Sequence, residues 1–487
     1  MNVNAVPASD ASREEKQFLI MTQTPVGKLI AKLAVPTVIS MLVSAIYNIT
    51  DTFYVSHLGP SAAGAVGVVF SLMSLIQAFG MGMGTGAASM VSRCLGRRDV
   101  QTASRYVSSA FFAGALIGLC ILTAGELNLR WLMRLLGSTD TILPYACDYG
   151  HYILIAAPVM CAAFVLNTTL RAEGKAVFSM IGLTTGAILN IAIAPIFIYV
   201  LDWGIGGAAL AVLVCQCISL CILLSFFIRK KSVTTLSFKL ISRDRRVYWD
   251  LIRLGSPTTL RQGFASLAMA LLNVKSAPFG DAAVAAVSIV VKIYLAIRSI
   301  ILGIGQALQP VAGYNHGAKL YDRVRGAFWV TTRAGTLICL CFAGALALWA
   351  TPVIASFQTG SREVIDIGVD ALYLFCMALP FLPFSTYVDQ MLQMLGRSKS
   401  SAFLASCRQG IMFLPLIFIL PHYFGLRGVE ATQPLADMLT FFAAAVILYR
   451  FFKQYQTGRK KITSKRRLRL MYLRLSRKLN HWTEPYH

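Results

Sequence analysis

An aspartate stands near the far end of a long apolar run. Asp51 lies in the segment YNITDTFYVSHLG, and the apolar run begins near Leu29. Acids within membrane segments are costly, and they mark cavities, ion paths or proton relays. A low dielectric disfavours the charged form of a carboxyl group, so a lone Asp51 is expected to load and release a proton. The alternative interpretation is a solvated residue at the end of a helix.

Other ionisable side chains lie in apolar segments of the second half of the chain. Asp389, in YVDQMLQMLG, either faces a central cavity or is a packing acid bonded to a polar neighbour. Asp437 has the same two interpretations. Lys292 and Arg298 could offset these acids or line a cavity, although snorkelling to an interface is the expected role of each.

The expected substrate cavity is lined by Asp389, Gln262 and Met391. Gln262 follows Arg261 in a span that contains no acid, and Met391 lies beside Met394 at a helical spacing. Methionines are usually core residues, but a soft and adaptable lining would suit varied substrates.

No enzymatic or metal chemistry is expected. Neither Asp51 nor Asp389 has the GxGD context of an intramembrane aspartyl protease, and the 11 cysteines are scattered without nearby histidines. A receptor or scaffold without transport would leave Asp51 without a purpose.

The composition of the chain indicates a membrane protein. Of its 487 residues, 56% are hydrophobic and 14% are charged. Apolar runs of about 20 residues can span a bilayer, and only helices satisfy the backbone in runs this uniform. The fold class is therefore all-α integral membrane, with about twelve transmembrane helices. The predicted spans are 29–56, 62–90, 105–125, 143–170, 176–200, 205–228, 255–277, 282–312, 327–350, 367–395, 401–421 and 429–452.

The net charge of +24 follows the membrane topology. With a cytoplasmic N-terminus, 36 of the 45 Lys and Arg residues fall in inside segments and 4 in outside segments. This alternation is the positive-inside pattern, whereas a nucleic-acid-binding face would concentrate the charge in one soluble module. Both termini are expected in the cytoplasm, and nucleic acid is not an expected partner.

The chain contains an internal repeat. A shift of 221 residues places Pro36 on Pro257, and it also superimposes the glycines at 59, 82, 84, 96, 204 and 207 on glycines of the second half. Such matches mark special backbone positions and close helix contacts. They predict two six-helix lobes related by a pseudo-two-fold axis along the membrane normal, with a cavity between the lobes.

The expected domain organisation follows from the repeat. It comprises a cytoplasmic segment at 1–28, an N-lobe at 29–228, a cytoplasmic connector at 229–253, a C-lobe at 254–452 and a basic cytoplasmic tail at 453–487. The tail has ten basic residues between Arg459 and Lys478, and apolar residues recur in it at helical spacing. It is either an interfacial helix on anionic lipid or a disordered extension.

Several segments in order resemble the multidrug and toxic compound extrusion (MATE) family. They include LAVPTVISMLVSAIYNITDTFYVSHLG, LRAEGKAVFSMIG, LNIAIAPIFIY, WGIGGAALA and QPVAGYNHGAKLYDRVR. The resemblance covers nearly all of the chain from Leu29 to Phe452. It implies a multi-pass exporter in the bacterial inner or plasma membrane. Such an exporter exchanges organic, often cationic, compounds for H⁺ or Na⁺ by alternating access of its two lobes.

The resemblance also assigns a cation-coupling site in the N-lobe. The family's helix 1 proline and the aspartate fifteen residues later match Pro36, a helix-kink position, and Asp51. A helix 4 asparagine matches Asn167, and the asparagine of the helix 5 LN motif matches Asn190. Tyr149 matches a tyrosine at the start of helix 4.

One position departs from the family pattern. Where many relatives have an aspartate directly before the helix 5 proline, this chain has Ala194. The loss of a carboxylate disfavours Na⁺ more than H⁺, because Na⁺ needs several oxygen ligands. Proton coupling is therefore expected, although asparagine and carbonyl oxygens could complete a weak Na⁺ site.

The expected function is secondary active export by a monomer, with no cofactor beyond the coupling ion. Its partners would be a small-molecule substrate and, at the tail, anionic lipid. The alternative is a flippase for lipids or lipid-linked saccharides from the same superfamily, which a strongly cationic cavity would favour.

Overall fold

The structure is a computed structural model that describes residues 8–357 and 362–480, and the described residues form helices without strands. The first half contains α1 to α8 and the second half α9 to α17. The helices are α1 (Ala8–Gln23), α2 (Val26–Ser56), α3 (Pro60–Gly96), α4 (Val100–Leu127), α5 (Leu129–Leu135), α6 (Leu143–Ala172), α7 (Ala176–Pro195), α8 (Gly204–Ile228), α9 (Arg245–Ser276), α10 (Asp281–Gly317), α11 (Tyr321–Leu348), α12 (Ala350–Phe357), α13 (Arg362–Ala378), α14 (Leu382–Met394), α15 (Ser398–Ser406), α16 (Phe413–Phe424) and α17 (Leu426–Asn480).

The predicted spans fall on these helices. Among the described residues, eleven helical stretches are long and apolar enough to cross a membrane. Two of them, Arg362–Met394 and Ser398–Phe424, join α13 to α14 and α15 to α16 through short 3₁₀ or π turns. The twelfth predicted span corresponds to α9, which is less apolar than the other eleven because it carries several basic and polar side chains. The all-helical membrane fold predicted from the sequence is confirmed.

Some boundaries differ from the prediction. Helix α9 begins at Arg245 rather than after the predicted connector end at 253, because Val247, Leu251 and Leu254 continue a buried helical stripe. The short helices α5 and α12 begin at residues 129 and 350, which is the repeat offset of 221. The backbone of α17 stays helical through the basic tail to Asn480.

The connector between the halves lies along the first half. The Glu173 carboxylate, in the α6–α7 turn, accepts hydrogen bonds from the backbone N–H groups of Val233 (2.8 Å) and Thr234 (3.0 Å). Farther along the connector, serine hydroxyls of α4 accept hydrogen bonds from the N–H groups of residues 235, 237 and 242. The connector is thus attached to α4 and to the α6–α7 turn over most of its length.

Small residues form the contact between the two halves. Helix α3 packs on α9, and α10 packs on α2 and α3. Gly82 and Gly86 of α3 meet Gly255 and Leu251 of α9, and a Cβ atom added at Gly255 would overlap the carbonyl oxygen of Gly82. Gly96 and Gly317 approach at the ends of their helices. These contacts lie toward the side of the membrane that carries the loops rich in Lys and Arg. We call this side the basic side.

Hydroxyl and amide groups add hydrogen bonds across the same contact. Thr85 donates to Thr258 (3.1 Å), and Ser89 donates to the carbonyl oxygen of Gln393 (2.9 Å). Thr37 donates to the carbonyl oxygen of Gly303 (2.7 Å), and Arg171 donates to the side chain of Gln306. The closed contact therefore combines tight backbone approach with polar groups that water can also satisfy.

If the chain is an exporter, as the resemblance implies, then breaking the glycine contact is expected to cause a transport defect. Gly255→Val should prevent the lobes from closing on the basic side and lower the initial export rate at least about tenfold, since about 1.4 kcal/mol of selective destabilisation lowers a population tenfold. Efflux of a fluorescent substrate from cells matched for expression measures the effect. Gly263→Val is the matched control, because an added Cβ there meets nothing within 4 Å. Equal rates for the two variants would contradict the importance of this contact.

Candidate functional site

Asp51 lies inside the first half, buried between α2 and α6. Its side chain is 7% exposed, and Tyr149 of α6 donates a hydrogen bond to Oδ2 (3.3 Å). The other oxygen, Oδ1, is buried and makes no hydrogen bond, and no cation among the described residues pairs with Asp51. The structure therefore shows a buried, uncompensated carboxyl group, and a solvated helix end does not describe it.

Asn190, on α7, lies near Asp51 of α2. Tyr54 follows Asp51 by less than one helical turn, and its hydroxyl donates to the carbonyl oxygen of Ile191, the residue after Asn190 (3.3 Å). Asp51 and Asn190 therefore lie at a similar depth. The buried Nδ2 of Asn190 makes no hydrogen bond. Cys215 of α8 packs against the same part of α7, because its carbonyl oxygen lies 3.1 Å from a Cβ atom added at Gly186, one helical turn before Asn190.

Tyr47, one turn before Asp51 on α2, and Cys215 are thus neighbours of the site that were not predicted as site residues. Tyr47 lies four residues before Asp51 on the same helix face, and this spacing was the available signal. No sequence signal pointed to Cys215.

Asn167 does not join Asp51 and Tyr149. It lies eighteen residues after Tyr149 on α6, about 27 Å along a helix, and its side-chain amide donates to the carbonyl oxygen of Ser179 (3.0 Å). Ala194 is fully buried in the cluster that contains Tyr149. Pro36 lies inside α2, where it removes one backbone hydrogen bond at the predicted kink position.

The second half contains two buried ion pairs. Arg261 pairs with Asp389 at 2.9 Å, and Ser401 also donates to Asp389. This geometry matches the packing-acid interpretation of Asp389. Met391 is fully buried in the core, whereas Gln262 is partly exposed on α9.

The second pair joins Arg408 and Asp437 at 2.7 Å. Asp437 also accepts hydrogen bonds from Tyr294 (2.7 Å) and Gln433 (3.0 Å). Asp437 is therefore a buried structural partner. Neither Tyr294 nor Gln433 was predicted as a site residue, although Gln433 stands one helical turn before Asp437.

The predicted snorkelling of Arg298 is wrong, although Lys292 is exposed. Arg298 is 8% exposed, and its Nε atom is buried without a hydrogen bond. Arg298 lies on the face of α10 that points toward the interior of the helix bundle, so its guanidinium cannot reach a membrane interface. No hydrogen-bond or ion-pair partner of its side chain occurs in the described part of the chain.

The first-half site can hold a proton or one monovalent cation. One carboxyl group with a hydroxyl and an amide nearby offers few oxygen ligands. Within residues 8–357 and 362–480, no group of three His, Cys, Asp or Glu side chains could hold a metal ion. A buried carboxyl group without a counter-ion is suited to binding one positive charge.

Two six-helix repeats, packed through small residues around buried ionisable groups, define a membrane transporter and not an enzyme. The MatE family model matches residues 36–196 and 257–419, and its two matches start 221 residues apart. These matches cover about two thirds of the chain. The chain belongs to the MATE family of multidrug efflux transporters.

Individual relatives agree with this assignment. The chain is 24% identical to the multidrug export protein MepA of Staphylococcus aureus over 90% of this chain and 96% of that protein. It is similar to the crystal structure of MATE in complex with MaL6, with 26% identity, a TM-score of 0.86, and coverage of 91% of this chain and 99% of the other. An outward-facing multidrug resistance MATE transporter gives 27% identity, a TM-score of 0.82 and coverage of 88% and 96%.

Proposed function

We propose that this transporter exports organic compounds, many of them cationic, in exchange for protons carried by Asp51. The observation that supports this proposal most directly is the buried Asp51 carboxyl group with an unpartnered oxygen. A buried charge without a counter-ion is costly, so protonation or a bound cationic substrate would each stabilise the site. Mutually exclusive binding of a proton and a substrate cation is sufficient for exchange.

Alternating access would follow from the contact between the halves. The contact on the basic side closes that side of the protein, and the positive-inside pattern makes it the cytoplasmic side of the cell membrane. This arrangement would correspond to an outward-facing state, the conformation named for one similar transporter. Opening of the small-residue contact would expose the site to the cytoplasm while both termini stay there.

Coupling to H⁺ rather than Na⁺ predicts the outcome of a gradient experiment. In proteoliposomes, a pH gradient alone should drive uphill substrate transport, and a Na⁺ gradient alone, with a protonophore and equal pH, should not. The reason is that Ala194 supplies no second carboxylate for a Na⁺ shell. Robust uphill transport under the Na⁺ gradient would refute proton coupling. Ala194→Asp is the informative variant, because restoring an acid should increase any Na⁺ response.

The basic tail would bind anionic lipid while one chain carries out transport as a monomer. The helical backbone of α17 up to Asn480 supports an elongated tail whose ten basic residues could lie on the membrane surface. Co-sedimentation of a tail peptide with phosphatidylglycerol vesicles, compared with phosphatidylcholine vesicles, tests the lipid preference. Equal binding to both would exclude it.

A further inference from the structure

The second half contains a small cavity that the proposed proton exchange does not use. It lies between α9, α10, α13, α17 and the π turn at Cys407–Ile411, and its lining includes Leu272, Tyr294, Arg298, Gln409 and Gln433. Leu272 occupies the position of Asp51 in the internal repeat, 221 residues later. The cavity is therefore the counterpart, in the second lobe, of the Asp51 site in the first lobe.

The charge of this cavity is opposite to that of the Asp51 site. Asp437 and Asp389 are each already paired with an arginine. Arg298 has no acidic partner of its own, because Arg408 holds Asp437 and Arg261 holds Asp389. One positive charge remains uncompensated, as one negative charge does at Asp51.

Arg298 is also free to bind a ligand. It is nine-tenths buried, lines the cavity, and has no hydrogen-bond or ion-pair partner in the described structure. A buried charge without a partner is expensive to maintain for packing alone. A guanidinium binds a carboxylate through two parallel hydrogen bonds, and the Gln409 amide in the same lining can supply a further donor.

We propose that the Arg298 cavity binds the carboxylate of an organic substrate. The carboxylate would then be held in the second lobe, and the Asp51 site would lie in the first lobe. The inference rests on the proposed export function and narrows its substrate class.

Two dyes that differ at one group test this proposal. Rhodamine 110 has a free carboxylate, and rhodamine 123 is its methyl ester. We would measure the dissociation constant of each dye by fluorescence anisotropy with the purified full-length protein, without any ion gradient. Arg298→Gln should weaken rhodamine 110 binding about tenfold or more and change rhodamine 123 binding by less than about twofold, as expected for loss of a charged hydrogen bond. Arg298→Lys should retain part of the preference.

Lys292→Gln is the matched control, because it removes one exposed positive charge from the same helix. It should leave both constants unchanged. Equal weakening of the two dyes by Arg298→Gln, or no weakening, would overturn the proposal. Because the assay needs no transport, a failure of proton coupling would leave this result intact, and the reverse also holds.

A competition experiment with the unmodified protein avoids any folding defect of the variant. Sodium benzoate should displace rhodamine 110 and spare rhodamine 123 at constant ionic strength. Displacement by sodium chloride at the same concentrations would show a site for any small anion, and it would overturn recognition of a carboxylate.

Discussion

Asp51→Asn is expected to abolish uphill export while leaving the protein folded in the membrane. The substitution keeps the size of the side chain and its hydrogen bond with Tyr149, but an amide cannot exchange a proton at this position. In proteoliposomes with a pH gradient, the substrate should approach equal concentrations on both sides instead of accumulating. The measurement is the accumulation ratio of a fluorescent substrate, with monodispersity in detergent as the folding criterion.

Asp148→Asn is the control for this experiment. Asp148 precedes Tyr149 on α6 and is exposed, so its loss removes one nearby negative charge without touching the buried site. It should transport normally. Full accumulation by a well-expressed Asp51→Asn variant would exclude Asp51 as the coupling residue.

Asp437→Asn is expected to destabilise the second half strongly. The substitution leaves Arg408 buried without its counter-ion, and breaking a buried ion pair costs about 3–5 kcal/mol. The thermal unfolding temperature in detergent should fall sharply. The expected cause is a lost structural interaction, so expression and stability should change before any effect specific to substrate binding is seen.

Two comparisons isolate the cause. The double variant Asp437→Asn/Arg408→Gln removes both charges and should be more stable than Asp437→Asn alone, which a double-mutant cycle would show as coupling. Asp370→Asn breaks the exposed pair with Arg427 and should cost less than about 1 kcal/mol. A similar loss in all three variants would mean that burial of the pair is not decisive.

The sequence was sufficient to predict most of the fold because its signals are local or periodic. An apolar run of membrane length specifies a spanning helix without knowledge of its neighbours, and the 221-residue repeat relates the two halves. The start of α9 was misplaced because arginines obscure the Val247, Leu251 and Leu254 stripe. A hydropathy profile averages over all faces of a helix, whereas a helix bundle buries only one face. The profile therefore does not reveal a buried stripe on an otherwise basic segment.

The same limitation explains the errors around the site. The expectation that Arg298 snorkels was wrong because the sequence gives the position of a residue along α10 but not the direction in which its side chain points. Cys215 could not be placed beside Asn190 without the packing of α7 on α8. The separation of Asn167 from Tyr149, in contrast, follows from counting residues along one helix, and the family resemblance obscured it.

The connector has a consequence for the way in which the lobes move. Because Glu173 and the α4 serines attach it through residue 242, it would travel as part of the first lobe in any separation of the lobes. A pivot between the lobes would then be confined to residues 243 and 244, just before α9 begins at Arg245. Rotation about so short a hinge swings α9 as a lever from its basic-side end, so a small angular change there moves the Leu272 end of the helix farthest.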